Sequence, residues 1–117
     1  KADSRWNNQF SFVKYSNTIK SSYMVLPIFI NEKFKKKKKL FISMIEKQGL
    51  ETRPVISGSF VNQPSTKLYK LNPKKLRYLE AQKVEDLGFV IGLHTKYLSK
   101  NKLKFIINSL FKIDRLI

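Results

Sequence analysis

The longest unbroken apolar run in the chain is Met24-Val-Leu-Pro-Ile-Phe-Ile30, and it stops at a polar boundary, Asn31-Glu32-Lys33. A continuous run of this kind suits a strand covered on both faces. It is far too short to cross a bilayer. The spacing predicts a strand over 23–30. Pro27 lies inside it and has no amide to donate, which predicts an edge position or a bulge.

The segments around this strand set the architecture. Asn31 is a helix N-cap, with Glu32 in the first turn. The helix is predicted over 32–48. Phe34, Leu40, Phe41, Met44 and Ile45 share one side of it, and Gly49 stands at C′. A second strand is predicted over 52–57. Residues 60–72 read as loop, with a helical turn at 65–69. Residues 74–87 become helical toward their later end, and Gly88 breaks them. Phe89 to Leu93 is a further buried strand, in which Gly92 allows close backbone approach. Ser99 caps the last helix, where Leu103, Ile106, Ile107, Leu110 and Phe111 give the strongest helical periodicity in the chain. Residues 1–21 form an irregular opening segment, with a partly alternating stretch at 10–15 that suits a short strand. Residues 22–117 form the folded domain. The order strand, helix, strand, strand, helix implies a small sheet with helices packed on one face, a two-layer α/β (α+β) fold.

A length of 117 residues allows one domain with a modest core. The chain has no cysteine, which excludes disulfides and cysteine-ligated zinc or iron–sulfur sites in this segment. No secretory signal pattern opens it. The formal net charge is +16, enough to bind polyanions non-specifically at low salt. The excess is nearly all lysine, in a chain also rich in isoleucine and asparagine. That is the composition of an AT-rich coding sequence. An RNA-binding protein more often recruits arginine and exposed aromatics. Coding bias and solubility therefore weigh more than a nucleic-acid footprint. Lys35 to Lys39 occupy five consecutive helical positions and point nearly all the way round. A solvated outer turn outweighs a phosphate patch there.

One stretch carries candidate chemistry: GLETRPVISGSFVNQP, from Gly49 to Pro64. It joins a strand end to a loop rich in hydrogen-bonding groups. Gly58 permits a turn that a side chain would obstruct. Arg53 is one of only four arginines. Its planar fork suits a carboxylate or phosphate. Alternatively, it pairs with Glu51 or Glu46. His94 is the only histidine, so no second one exists for a metal pair or a relay. Glu85 and Asp86 are sequence neighbours and diverge on a helix, so they do not form an acid–base pair. No residue of this chain is expected to be a metal ligand or catalytic.

The stretch resembles the segment G-I-E-T-R-P-x-x-S-G-N-F-x-x-Q-P of the DegT-type nucleotide-sugar aminotransferase and dehydratase family, a branch of the fold type I pyridoxal-phosphate enzymes. Ser59 stands where that pattern often has Asn. Asp86-Leu-Gly-Phe-Val-Ile-Gly-Leu-His94 is similar to the family's late strand x-x-G-F-x-I-G-L-H, and Leu98-Ser99 leads into a closing helix. The nearest subgroup is that of CDP-4-keto-6-deoxy-glucose 3-dehydratase-like enzymes, and the likeness spans roughly residues 22 to 114. It implies the small C-terminal domain of such an enzyme, with a mainly antiparallel sheet of three to four strands. The implied work is transamination or 3-dehydration of a nucleotide sugar, in deoxy- or amino-sugar synthesis for surface polysaccharide. The resemblance also implies that pyridoxal phosphate is held by a large domain outside this segment. The intact enzyme is then expected to be a cytoplasmic homodimer with a nucleotide-sugar substrate and no membrane or nucleic-acid partner. The chain begins at Lys1, which fits a fragment or a processed chain that is inactive alone. Arg53, Gly58, Asn62, Gln63 and His94 are the residues expected on the substrate side. The rival reading is a free-standing basic module that binds nucleic acid.

Overall fold

The computed structural model describes residues 6–56, 58–70, 78–93 and 96–116. Four strands form one antiparallel sheet: β1 (Phe10–Phe12), β2 (Val25–Ile30), β3 (Thr52–Pro54) and β4 (Gly88–Gly92). Their order is β1-β2-β4-β3. The helices are α1 (Lys38–Lys47), α2 (Pro64–Leu68), α3 (Leu79–Leu87) and α4 (Lys100–Leu116). The expected two-layer α+β architecture with a small antiparallel sheet is what the chain adopts.

The register divides the sheet into two faces. Phe12 pairs with Ile28 and Phe10 with Ile30; Ile28 pairs with Phe89, and Leu26 with Ile91. Directly paired residues lie on the same face, so these side chains share the inner one. There they meet Phe41, Ile45 and Leu50 from α1 and its exit, and Leu110 and Ile113 from α4. Each such fully buried side chain contributes about 1.5–3 kcal/mol. Val25, Pro27, Phe29, Arg53 and Val90 occupy the alternate positions, on the outer face.

Pro27 lies in an internal strand, not at an edge. Leu93 N donates to Met24 O at 3.1 Å, and Asn31 N donates to Gln9 O at 2.8 Å. These bonds set the phase of β2: even residues direct their backbone groups to β4, odd ones to β1. The donor that Pro27 lacks would therefore face β1, whose pairing ends at Phe12 with Ile28. The proline costs no ladder bond because the ladder on that side has already stopped.

The predicted 32–48 helix is divided. Residues Glu32–Lys37 form a 3₁₀ helix that gives way to α1 at Lys38. Asn31 caps it as expected, its Oδ1 accepting from Lys33 N at 3.2 Å. Leu40, expected on the apolar side, is half exposed, because the tighter 3₁₀ turn rotates the face that follows. Ser99 caps α4, with its Oγ accepting from Lys102 N at 3.3 Å. The close backbone approach expected at Gly92 occurs at Gly88 instead. A Cβ there would lie 2.5 Å from the Val84 carbonyl oxygen, whereas one at Gly92 would meet nothing within 4 Å.

The opening segment is tied to the far end of the chain. Asp114 is fully buried in the last turn of α4, where the helix dipole disfavours a carboxylate. Two backbone amides compensate it: Asn7 N donates to Oδ2, and Gln9 N donates to Oδ1 at 2.8 Å. Trp6 packs beside it, with ring centroids 4.1 Å from Phe111 and 5.6 Å from Phe12. Replacing Asp114 by alanine strands both amides. Asp114→Ala is expected to cost roughly 2–4 kcal/mol of unfolding free energy, with Asp114→Asn losing about half as much because it keeps one acceptor. Urea denaturation of the two variants measures both.

Candidate functional site

Among the described residues, the outer face of the sheet carries less cover than the inner one: Val90 is buried, and Val25, Pro27 and Phe29 are half-buried. The sequence predicts β2 as covered on both faces; its outer face is covered only in part. A groove of about 580 Å³ crosses that side. Val25, Pro27 and Phe29 of β2 form its floor with Val90 of β4. One wall is Arg53 and Pro54 of β3 with Val55 and Ile56 just beyond; Met24 and Val84 complete the lining. Arg53 is the only polar side chain among them.

Arg53 is drawn back toward its own strand. Its Nε and Nη2 both donate to Glu51 Oε1, at 3.0 and 2.8 Å. Glu46, the other candidate partner, accepts from Thr52 Oγ1 at 2.6 Å. The Arg53 and Glu51 side chains are 71% and 73% exposed, so the pair is worth about 0–1 kcal/mol. A guanidinium held this weakly exchanges its carboxylate for another anion at little cost.

Past the strand end, the chain turns away from the groove and onto α3. Gly58 N donates to Val55 O at 3.1 Å, and Gly58 sits at φ +52°, in the left-handed region. A Cβ there would lie 3.0 Å from the Glu85 side chain. Glu85 then anchors the loop: its Oε2 accepts from Ser59 N at 2.6 Å and from Asn62 Nδ2 at 3.1 Å. Asn62 Nδ2 also donates to Gln82 Oε1 at 2.8 Å. Ser59 is fully buried.

Glu85 and Asp86 diverge as expected, since successive helical residues point about 100° apart. Asp86 faces the 3₁₀ helix and pairs with Lys35 at 2.6 Å. The lysine run is thus divided in its roles. Lys35 serves Asp86, and the half-buried Lys38 donates through Nζ to the Glu85 carbonyl oxygen at 2.6 Å. Burial pushes the Lys38 ammonium below its ordinary pKa, opposed by the charges of Asp86 and Glu85. The hydrogen bond from Lys35 holds the Asp86 carboxyl below the usual carboxylate range, against a desolvation effect that raises it, and a bond from Gln82 adds to the lowering.

Of the residues expected on the substrate side, Arg53 lines the groove. Gly58 and Asn62 shape the loop that leaves its wall. Gln63, also in that loop, is outside the lining, its amide bonded to the Phe60 carbonyl at 3.0 Å. His94 lies outside the described residues. Arg53 and Asn62 are therefore not brought to one point: Asn62 is committed to α3. The anchoring role of Glu85 is not visible in the sequence. Glu85 stands 26 residues from Ser59, and no local pattern signals that contact. Among the described residues, no group of three or more His, Cys, Asp or Glu side chains is arranged to hold a metal, and no helix is long and apolar enough to cross a membrane.

In comparisons with protein-family models, curated proteins and solved structures, nothing matches this chain.

Two outcomes are expected from the loop seam. Gly58→Ala forces an L-residue into the left-handed region and presses Glu85 off the Ser59 amide. It should cost about 1–2 kcal/mol and speed hydrogen exchange at the Ser59 amide. Asp86 has a lowered folded-state pKa, so its contribution is present above the unfolded value and is lost as pH falls through the folded one. The urea-midpoint difference between the native chain and Asp86→Asn should therefore be full at neutral pH and shrink below about pH 4.

Proposed function

We propose that this chain is the small, substrate-side domain of a pyridoxal-phosphate-dependent nucleotide-sugar aminotransferase or 3-dehydratase. The observation that supports the reading is the less covered outer face of the sheet, whose apolar groove is walled by Arg53, Pro54, Val55 and Ile56 of the segment that bears the family resemblance. An apolar trough on the less covered side of a sheet suits a domain that lies against a second domain.

The groove does not fit pyridoxal phosphate by itself. Its lining has no lysine for a Schiff base, no carboxylate for the pyridine nitrogen, and Arg53 alone for the phosphate. The cofactor belongs, in this reading, to the large domain. The share of this chain is to close one side of the substrate cleft, exclude water with Val25, Phe29 and Val90, and present Arg53 to an anion of the nucleotide sugar. Arg53 would leave Glu51 for a phosphate or carboxylate, exchanging one exposed pair for a less hydrated one. Gly58, Asn62 and Gln63 would hold the wall in shape, and the resemblance alone assigns His94 to the substrate side. A cytoplasmic homodimer making deoxy or amino sugars is the setting this reading implies.

A chimera in which this chain replaces the small domain of a family member tests it. The chimera is expected to turn over a nucleotide sugar. Arg53→Ala within it should raise KM by tenfold or so, as loss of one charge-assisted hydrogen bond predicts, with kcat changed far less. A folded, cofactor-loaded chimera without turnover would count against the assignment, and an unchanged KM would count against Arg53.

A further inference from the structure

The other strongly marked surface belongs to α4. Residues 87–113 contain no Asp or Glu but hold Lys96, Lys100, Lys102, Lys104 and Lys112. All five are exposed, and none takes part in the ion pairs found among the described residues. The helix buries Ser109, Leu110, Phe111, Ile113 and Asp114 in its second half. Its first half overhangs the core, leaving Phe105 at 50% exposure. Just before the helix, Tyr97 is 96% exposed.

Composition alone weighs against nucleic acid because lysine excess without exposed aromatics is a poor footprint. The structure changes the second half of that argument. All five tyrosines, Tyr15, Tyr23, Tyr69, Tyr78 and Tyr97, are exposed. On the overhang, Tyr97 follows Lys96 and Phe105 follows Lys104. Lys100 and Lys104 stand one turn apart on the same side of the helix. Cations that track a phosphate backbone, interleaved with aromatic faces on which bases stack, are the two parts of a single-strand binding surface. The positive N-terminal end of α4 adds to the field.

We infer that the Lys96–Phe105 overhang binds single-stranded nucleic acid, with Lys96, Lys100 and Lys104 on the phosphates and Tyr97 and Phe105 under bases, while Lys102, about half a turn round α4 from Lys100 and Lys104, stays outside the contact. The α4 part of this surface belongs to a helix packed on the inner face of the sheet, whereas the groove lies on the outer face, so the two can be tested apart.

The probe is a fluorescently labelled oligouridylate of roughly twenty nucleotides, titrated with the 117-residue chain and followed by anisotropy. Binding should persist at physiological salt. Three phosphate contacts on a single strand predict a log–log salt slope of about −2. The double substitution Lys100→Gln, Lys104→Gln should weaken binding by more than about tenfold and flatten the slope to about −1. The charge-matched control Lys36→Gln, Lys47→Gln removes two exposed lysines elsewhere and should leave most of the affinity. Tyr97→Ala should cost about tenfold with the slope unchanged. Equal losses in the two double variants would reduce the effect to net charge and overturn the site. So would binding that vanishes at physiological salt, or tighter binding to phosphatidylserine vesicles than to the oligonucleotide.

Discussion

The antiparallel pairing of β2 with β4 is the constraint on which the rest of the molecule depends. It places Ile28 opposite Phe89 and Leu26 opposite Ile91, and so decides which residue of every pair enters the core. A slip of one position would carry Val25, Pro27, Phe29 and Val90 inward and put the present core residues in water. Helices α1 and α4 then have one apolar face to cover, and they cover it. The short flanking strands β1 and β3 extend that face without changing it. Pro27 is tolerated for the same reason: its position in the ladder falls where β1 has ended.

Two long-range ties stiffen this frame, and both use a carboxylate to satisfy backbone amides. Asp114 joins the first described residues to the last helix. Glu85 joins the loop after β3 to the helix before β4. A buried carboxylate is costly unless its lone pairs are used, so each tie also restricts the geometry of the groups around it. At Glu85, the neighbouring Lys38 uses the same residue's carbonyl oxygen. The wall of the sheet groove, the loop beyond it and the lysine-rich 3₁₀ segment thereby meet at one turn of α3.

The two layers present surfaces of different character. The outer face of the sheet carries an apolar groove whose one polar lining side chain is Arg53. The start of α4 presents lysines that join no ion pair among the described residues, beside exposed aromatic rings. A net charge of +16 spread evenly would speak only of solubility. Five of the 24 Lys and Arg residues fall in the acid-free stretch 87–113, where they are exposed and Tyr97 and Phe105 stand among them.

Periodicity and caps were legible in the chain. Asn31 and Ser99 start helices where their side chains accept the first amides, and Leu110 and Phe111 are buried as their spacing predicts. The early members of that same pattern, Leu103 and Ile107, remain partly exposed, because helical spacing says which residues share a side but not how far the core reaches along it. The candidate site was legible only as a strand end with an arginine. Arg53 turns to Glu51, while Glu46 accepts from Thr52, a contact six positions apart. That Asn62 turns to α3 depends on Gln82 and Glu85, twenty or more positions away. Local sequence, then, determined the elements and their ends, because caps, breakers and apolar spacing act within a turn or two of the backbone. Only the tertiary structure decided which face of the sheet takes the core and where each carboxylate goes, because those outcomes rest on contacts between residues that no short stretch of chain brings together.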